Sequence, residues 1–150
     1  MATTASVHAR LSVEGEALDV VTYSLSEGLS RVDSLVVTVT TRGQELPAPE
    51  SLIGKEAEFA LVREPDGQQR EFCGDVLRVA TASSADGLAV LRMELAPRLW
   101  RLSARTDCRV FRHKSVPDIV KEVIEGAGLS SDEQSYQLAE SYPARDYVVQ

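Results

Sequence analysis

The strongest constraint on this chain is an alternation of apolar and polar residues that recurs through its first two-thirds and is cut each time by a turn signal. Val7, Ala9, Leu11 and Val13 alternate with His8, Arg10 and Ser12. A period of two puts one set of side chains on one face of a strand. Glu14-Gly15-Glu16 follows as a turn. Val21, Tyr23 and Leu25 share one face of a second strand, which Glu27-Gly28 ends. Leu35 to Thr41 is rich in Val and Thr, which suit a pleated surface, and Gly43 closes it. Pro47 and Pro49 make residues 45–51 a loop, because neither can donate to a ladder. Ala57, Phe59 and Leu61 mark a fourth strand. The run from Glu71 to Ala82 returns beside it across Pro65-Asp66-Gly67, where Pro presets φ and Gly accepts a positive one. Gly74 within that run predicts a bulge or a tight bend. Ala85-Asp86-Gly87 is another hairpin turn, and Leu91, Met93 and Leu95 give a sixth strand. Six strands with close turns predict an antiparallel barrel or sandwich.

The pattern changes at Pro97. Leu99, Trp100 and Leu102 form a short apolar cluster, one helical turn long, and Arg109-Val110-Phe111-Arg112 is strand-like. Ser115 is an N-cap with Asp118 three residues on, Asp standing where a capping box has Glu. Pro117 falls in the first turn, where its missing N–H costs nothing. Val116, Ile119, Val120, Val123, Ile124 and Ala127 follow helical spacing, and Gly128 supplies a left-handed cap, so residues 116–127 read as a helix. At about 18 Å it is too short to persist alone, and its apolar stripe must pack on the sheet or on a partner. Residues 130–135 read as a loop and Tyr136 to Ala139 as a short strand. Tyr147-Val148-Val149 begins a strand at the very end, as in a chain cut mid-fold. The expected division is a β-barrel core over 1–96 and a helix-containing extension over 97–150 that starts the next part of a larger fold.

Composition narrows the function. The chain has 150 residues, 43% of them apolar, enough for one packed core. No run of about 18 apolar residues predicts a membrane span. The N-terminus lacks a basic segment followed by an apolar one, so no signal peptide is expected and folding is placed in the cytoplasm. A net charge of −7 argues against a nucleic-acid surface. Arg98, Arg101, Arg105, Arg109, Arg112 and Lys114 form the one basic stretch; it reads first as a solvated face, then as a contact for an acidic partner. Cys73 and Cys108 lie in no metal-ligand spacing and read as small buried hydrophobes in a reducing compartment. His8 and His113 read as lone surface histidines, with no nucleophile–base–orienter set and no phosphate-cradling glycine loop in the chain. Glu56 and Glu58 share a strand face and read as a solvated edge, not as a glycosidase pair. The expectation is therefore no enzyme, no cofactor and no metal.

The most specific segment runs from Leu95 to Glu125. Its Pro97, Leu99, Trp100 and Leu102, its Arg109 and Phe111, and its Lys114, Ser115, Val116, Ile119, Val120 and Val123 resemble the N-terminal region of VgrG proteins, the spike proteins of type VI secretion systems. Glu27-Gly28-Leu29-Ser30-Arg31, Ile53-Gly54-Lys55 and Phe72-Cys73-Gly74 fit the same family in order, as does Tyr142 to Gln150 with Asp146 in a Glu position. The matched residues are packing and turn positions: Gly28, Arg31, Gly54, Phe72, Gly74, Pro97, Trp100, Phe111, Ser115, Ile119 and Val120. The resemblance implies a fold that is mainly β with some α, an antiparallel β-barrel of about six strands followed by one packed helix, as in phage tail hubs. It implies a homotrimer in the full-length protein, docking onto the Hcp tube, and effectors or adaptors as further partners. It also implies cytoplasmic assembly and secretion through the type VI system without a signal peptide. A second barrel, an oligonucleotide/oligosaccharide-binding-type domain and a β-helical needle would follow downstream. The alternatives are the baseplate hub of a contractile phage tail or phage-like particle, or a ligand-binding β-barrel.

Overall fold

The computed structural model describes residues 6–40, 46–83 and 89–150. The expected turns at Gly43 and Ala85-Asp86-Gly87 lie outside them. The chain divides into two compact units, Met1–Pro97 and Arg98–Gln150.

The first unit is a closed barrel of six antiparallel strands: β1 (Ser6–Val13), β2 (Glu16–Ser26), β3 (Ser34–Thr40), β4 (Glu56–Glu64), β5 (Gln69–Ser83) and β6 (Ala89–Ala96), in the spatial order β1-β2-β3-β6-β5-β4. The β1–β2 turn has φ of 51° at Glu14 and 83° at Gly15, the two positive values that a two-residue hairpin loop requires. The barrel interior is solid. Leu35, Val37 and Val39 from β3, Phe59 from β4, Val76 from β5, and Leu91, Met93 and Leu95 from β6 are fully buried. Each such side chain stabilises the fold by roughly 1.5–3 kcal/mol relative to exposure.

Two β-bulges re-phase the alternation. In β2 the register against β3 slips between Val20 and Thr22. Leu18 and Val20 pack on the core before the slip and Leu25 after it, and the Tyr23 ring lies 5.2 Å from that of Phe59. Val21, expected on the inner face, is the bulged residue and is exposed. In β5 the slip falls between Val76 and Arg78, not at Gly74. Gly74 pairs in register with Ala57 and serves a different need: a Cβ there would sit 2.3 Å from the carbonyl oxygen of Ala96. The absent side chain lets the end of β6 pass against β5.

Three further expectations are corrected. A short helix, α1 (Pro49–Leu52), overlaps the end of the expected 45–51 loop, with Pro at its first position and Leu52 buried. Its exit is tied to β5 by Gly54 N–H donating to the Val76 carbonyl at 2.8 Å and Val76 N–H donating to the Lys55 carbonyl at 2.9 Å. Glu56 and Glu58 are exposed but do not mark an edge, because β4 pairs with both β1 and β5. Cys73 and Cys108 are exposed, not buried. Cys73 falls between the inward-facing Phe72 and Gly74, so the period of two turns it outward.

The second unit holds a 3-10 turn (Arg98–Leu102), β7 (Val110–Lys114), α2 (Val116–Gly126), a second 3-10 turn (Ser131–Glu133) and β8 (Arg145–Val149). The terminal strand pairs antiparallel with β7, Phe111 opposite Val148 and Arg112 opposite Tyr147. Phe111, Ala127 and Leu129 are its buried apolar residues. Residues 136–139 form no strand: Tyr136 and Leu138 are exposed, and no ladder reaches them.

Substituting Gly74→Ala forces the β5 and β6 backbones apart. It should cost about 1–3 kcal/mol of stability, read by chemical denaturation, although Ala suits a strand at least as well as Gly.

Candidate docking surfaces

Both ends of α2 are built as the sequence implies. Ser115 Oγ accepts from the Asp118 N–H at 3.3 Å and donates to Asp118 Oδ2 at 2.5 Å. At the other end Gly128 has φ +88°. Its N–H reaches the Glu125 carbonyl at 2.9 Å, and the Leu129 N–H reaches the Ile124 carbonyl at 3.4 Å, the paired bonds of a Schellman cap. Helix α2 lies beside β7. Ile119 is half-buried, while Val116 and Val120 remain exposed, so part of the apolar stripe faces solvent.

The basic stretch is largely matched from within its own unit. Arg98 pairs with Glu133 at 2.6 Å, Arg109 with Asp107 at 2.5 Å, and Lys114 with Glu122. Arg105 donates to the Gly126 carbonyl at 2.6 Å, placing a cation at the C-terminal end of α2 where the helix dipole favours it. An acidic partner would therefore meet few unmatched charges here. Residues 130–135 read as a loop by composition, yet Ser130-x-x-Glu133 is a capping-box signature. Glu133 Oε2 accepts from the Ser130 hydroxyl at 2.7 Å and from its N–H at 2.8 Å. These bonds, with Arg98 beside them, hold the Glu133 carboxyl at about 2.

In the first unit, Gly28 and Arg31 stand together in the β2–β3 connection. The Arg31 side chain lies over Gly28, donating to Ser26 Oγ at 3.2 Å and to the Glu27 carbonyl. The Gly28 N–H donates to Asp33 Oδ1 at 3.2 Å, and Glu27 pairs with Arg70 of β5 at 2.5 Å. This stapled loop presents Leu29 at 99% exposure. Gly54 and the Phe72–Gly74 step converge on β5, and Pro97 follows the Ala96 carbonyl against which Gly74 packs. Trp100 ends up half-exposed, its carbonyl accepting from Ser103 N–H at 2.8 Å and Oγ at 2.7 Å. Phe111 is buried. The motif residues thus turn, cap and pack; they do not converge on a polar cluster.

His8 and His113 are both exposed. Among the described residues no three His, Cys, Asp or Glu side chains group as metal ligands, and no helix is long and apolar enough to cross a membrane.

A closed barrel with a filled interior, followed by a capped helix, is the architecture of a phage-tail-hub-like protein. The chain belongs to the phage tail baseplate hub (GPD) family, which it matches over residues 26–150. It is 33% identical over 144 residues to the type VI secretion system spike protein VgrG1c of Pseudomonas aeruginosa, covering 96% of this chain and 19% of that protein. It is 35% identical over 124 residues to VgrG1b of the same organism, covering 83% of this chain and 16% of that protein. The chain therefore spans less than a fifth of the length of these relatives. Its fold matches the Escherichia coli c3393 protein with a TM-score of 0.73 at 24% identity, over 93% of this chain and 38% of that one. That protein is a component of the type VI secretion system, with structural similarity to the T4 bacteriophage tail proteins gp27 and gp5.

The Glu133 carboxyl should titrate near pH 2 in an NMR pH series, against about 4.3 for a free Glu side chain. Its folded value lies below the unfolded one. The stabilisation it brings is therefore present above about pH 4.3 and is lost as pH falls toward 2. Ser130→Ala, which removes the largest cause, should move the midpoint upward.

Proposed function

We propose that this chain is the hub module of a type VI secretion spike, docking a spike trimer onto the Hcp tube and catalysing no reaction. The observation that carries the reading is the 33% identity to a curated spike protein along nearly the whole chain. The barrel supports it physically. Its interior is filled by apolar side chains, and its six strands close into a barrel in which β1 ladders to β4 along its whole length. Such a body suits the transfer of load between a tube and a spike tip, which needs shape and stiffness but no bond-making. On this reading the protein assembles in the cytoplasm, leaves through the secretion apparatus without a signal peptide, and carries effectors or adaptors as further partners. A second reading, the baseplate hub of a phage tail or phage-like particle, is favoured by the family match itself.

The test uses the full-length protein that contains this segment. It should co-sediment with assembled Hcp tubes, and its deletion should remove Hcp from culture supernatant. Phe59→Asp, which places a charge in the barrel interior, should abolish both. A folded full-length protein that ignores Hcp but enters phage-tail particles would support the second reading. A hydrolase activity lost on His113→Ala would overturn the non-enzyme reading.

A further inference from the structure

The β1–β2 hairpin is joined only at its turn. Its pairs are Leu11 with Leu18, Ser12 with Ala17 and Val13 with Glu16. On its other side β1 pairs with β4 along its whole length, from Ser6 opposite Glu64 to Val13 opposite Ala57. Continuing the hairpin register would set Ala9 against Val20 and Val7 against Thr22, but neither pair forms. The bulge at Val21 accounts for the parting, because a bulge bends and twists its strand. A groove of about 540 Å³ opens between the two strands, lined by Ala9, Leu11, Leu18 and Val20 and, among polar side chains, by Arg10 and Asp19.

Exposure along the walls reports a missing neighbour. In β3, flanked on both sides, buried and half-buried residues alternate strictly. In β2, Val21, Thr22, Tyr23 and Ser24 are all exposed, whichever face they occupy, and so are Ser6, Val7 and His8 in β1. In an antiparallel ladder every second residue turns its N–H and C=O toward each side. Among the described residues, no backbone pairing joins Ser6–Arg10 to Val20–Ser24.

The groove thus has a polar backbone rim on both walls over an apolar floor. Ala9, Leu18 and Val20 pack on the core beneath it, and Tyr23 rests against Phe59. A helix has already used its own backbone groups and would leave both rims unpaired. A small polar ligand would leave the floor bare. An extended peptide satisfies both, because it offers N–H and C=O along two edges and points alternate side chains downward. We propose that the slot between Ser6–Arg10 and Val20–Ser24 binds an extended strand of a partner chain, apolar at alternate positions, which adds a seventh strand to the barrel wall. Five residues of wall correspond to roughly 17 Å of strand. The proposal rests on backbone pairing and does not depend on the injection-system reading.

The probe is an end-capped heptapeptide of alternating threonine and valine, added to the 150-residue chain and followed by amide hydrogen exchange. The slot-facing amides of β1 and β2 should exchange rapidly in the chain alone and slow at least tenfold with saturating peptide, with no change at Leu35–Val39. The same peptide N-methylated at alternate residues should have no effect. Val20→Lys should weaken the peptide's effect at least tenfold while β3 protection persists. Ala9→Lys on the opposite wall gives the same reading should the first variant fail to fold. The proposal is overturned if the peptide leaves the slot amides unchanged, or if these amides are already protected in dilute protein. Protection that rises with protein concentration alone would assign the slot to a second copy and likewise overturn a partner strand.

Discussion

Six strands laid side by side leave two raw edges unless the first meets the last, and the first unit depends on how that meeting is made. The full-length contact is β1 with β4, strands far apart in sequence, and it holds along all of β1. The local hairpin, β1 with β2, is the incomplete one. Non-local pairing carries a loop-closure cost that only the interior can offset. Leu11 and Val13 deliver that compensation, because closing β1 onto β4 carries both into the core beside Phe59. The closure and the core are therefore one event.

Much of this was legible in the residues. Ala9 to Val13 and Leu91 to Leu95 keep a strict period of two, and each lies in a strand with its apolar side chains at or toward the core, as do Leu35, Val37 and Val39 of β3. Ser115, Pro117 and Gly128 declared both ends of α2, since each is a residue whose chemistry suits one place in a helix and few others. What escaped were features that period alone does not encode. A bulge inserts one residue and inverts the parity beyond it, so Val21 reads as inward when only Tyr23 and Leu25 keep that phase. Gly74 signalled something unusual in a strand, but whether a bulge or a close approach depends on β6, which the local sequence does not contain. Tyr136 and Leu138 alternate as a strand would, yet two residues of pattern recruit no partner.

The candidate docking features were legible in a different way. Motif resemblance located Gly28 and Arg31, but their work is to staple a loop that leaves the leucine between them almost wholly exposed. The basic residues from Arg98 to Lys114 stood out as a stretch, and most are spent on carboxylates and carbonyls of their own unit. Charge counted along a sequence cannot tell a patch from a set of internal ties. The family and its spike-protein relatives fit this picture, in which matched positions maintain a shape.

Strand β6 leads out of the barrel at Pro97, and it is a central strand, laddered to β3 on one side and to β5 on the other. A tug on the chain along the axis of β6 would strain both ladders at once, in shear, instead of peeling bonds away singly as at a free edge. Its last residue, Ala96, is further wedged against the bare Cα of Gly74. The exit of the barrel is thereby anchored like a tenon gripped on two faces, a joint suited to mechanical work.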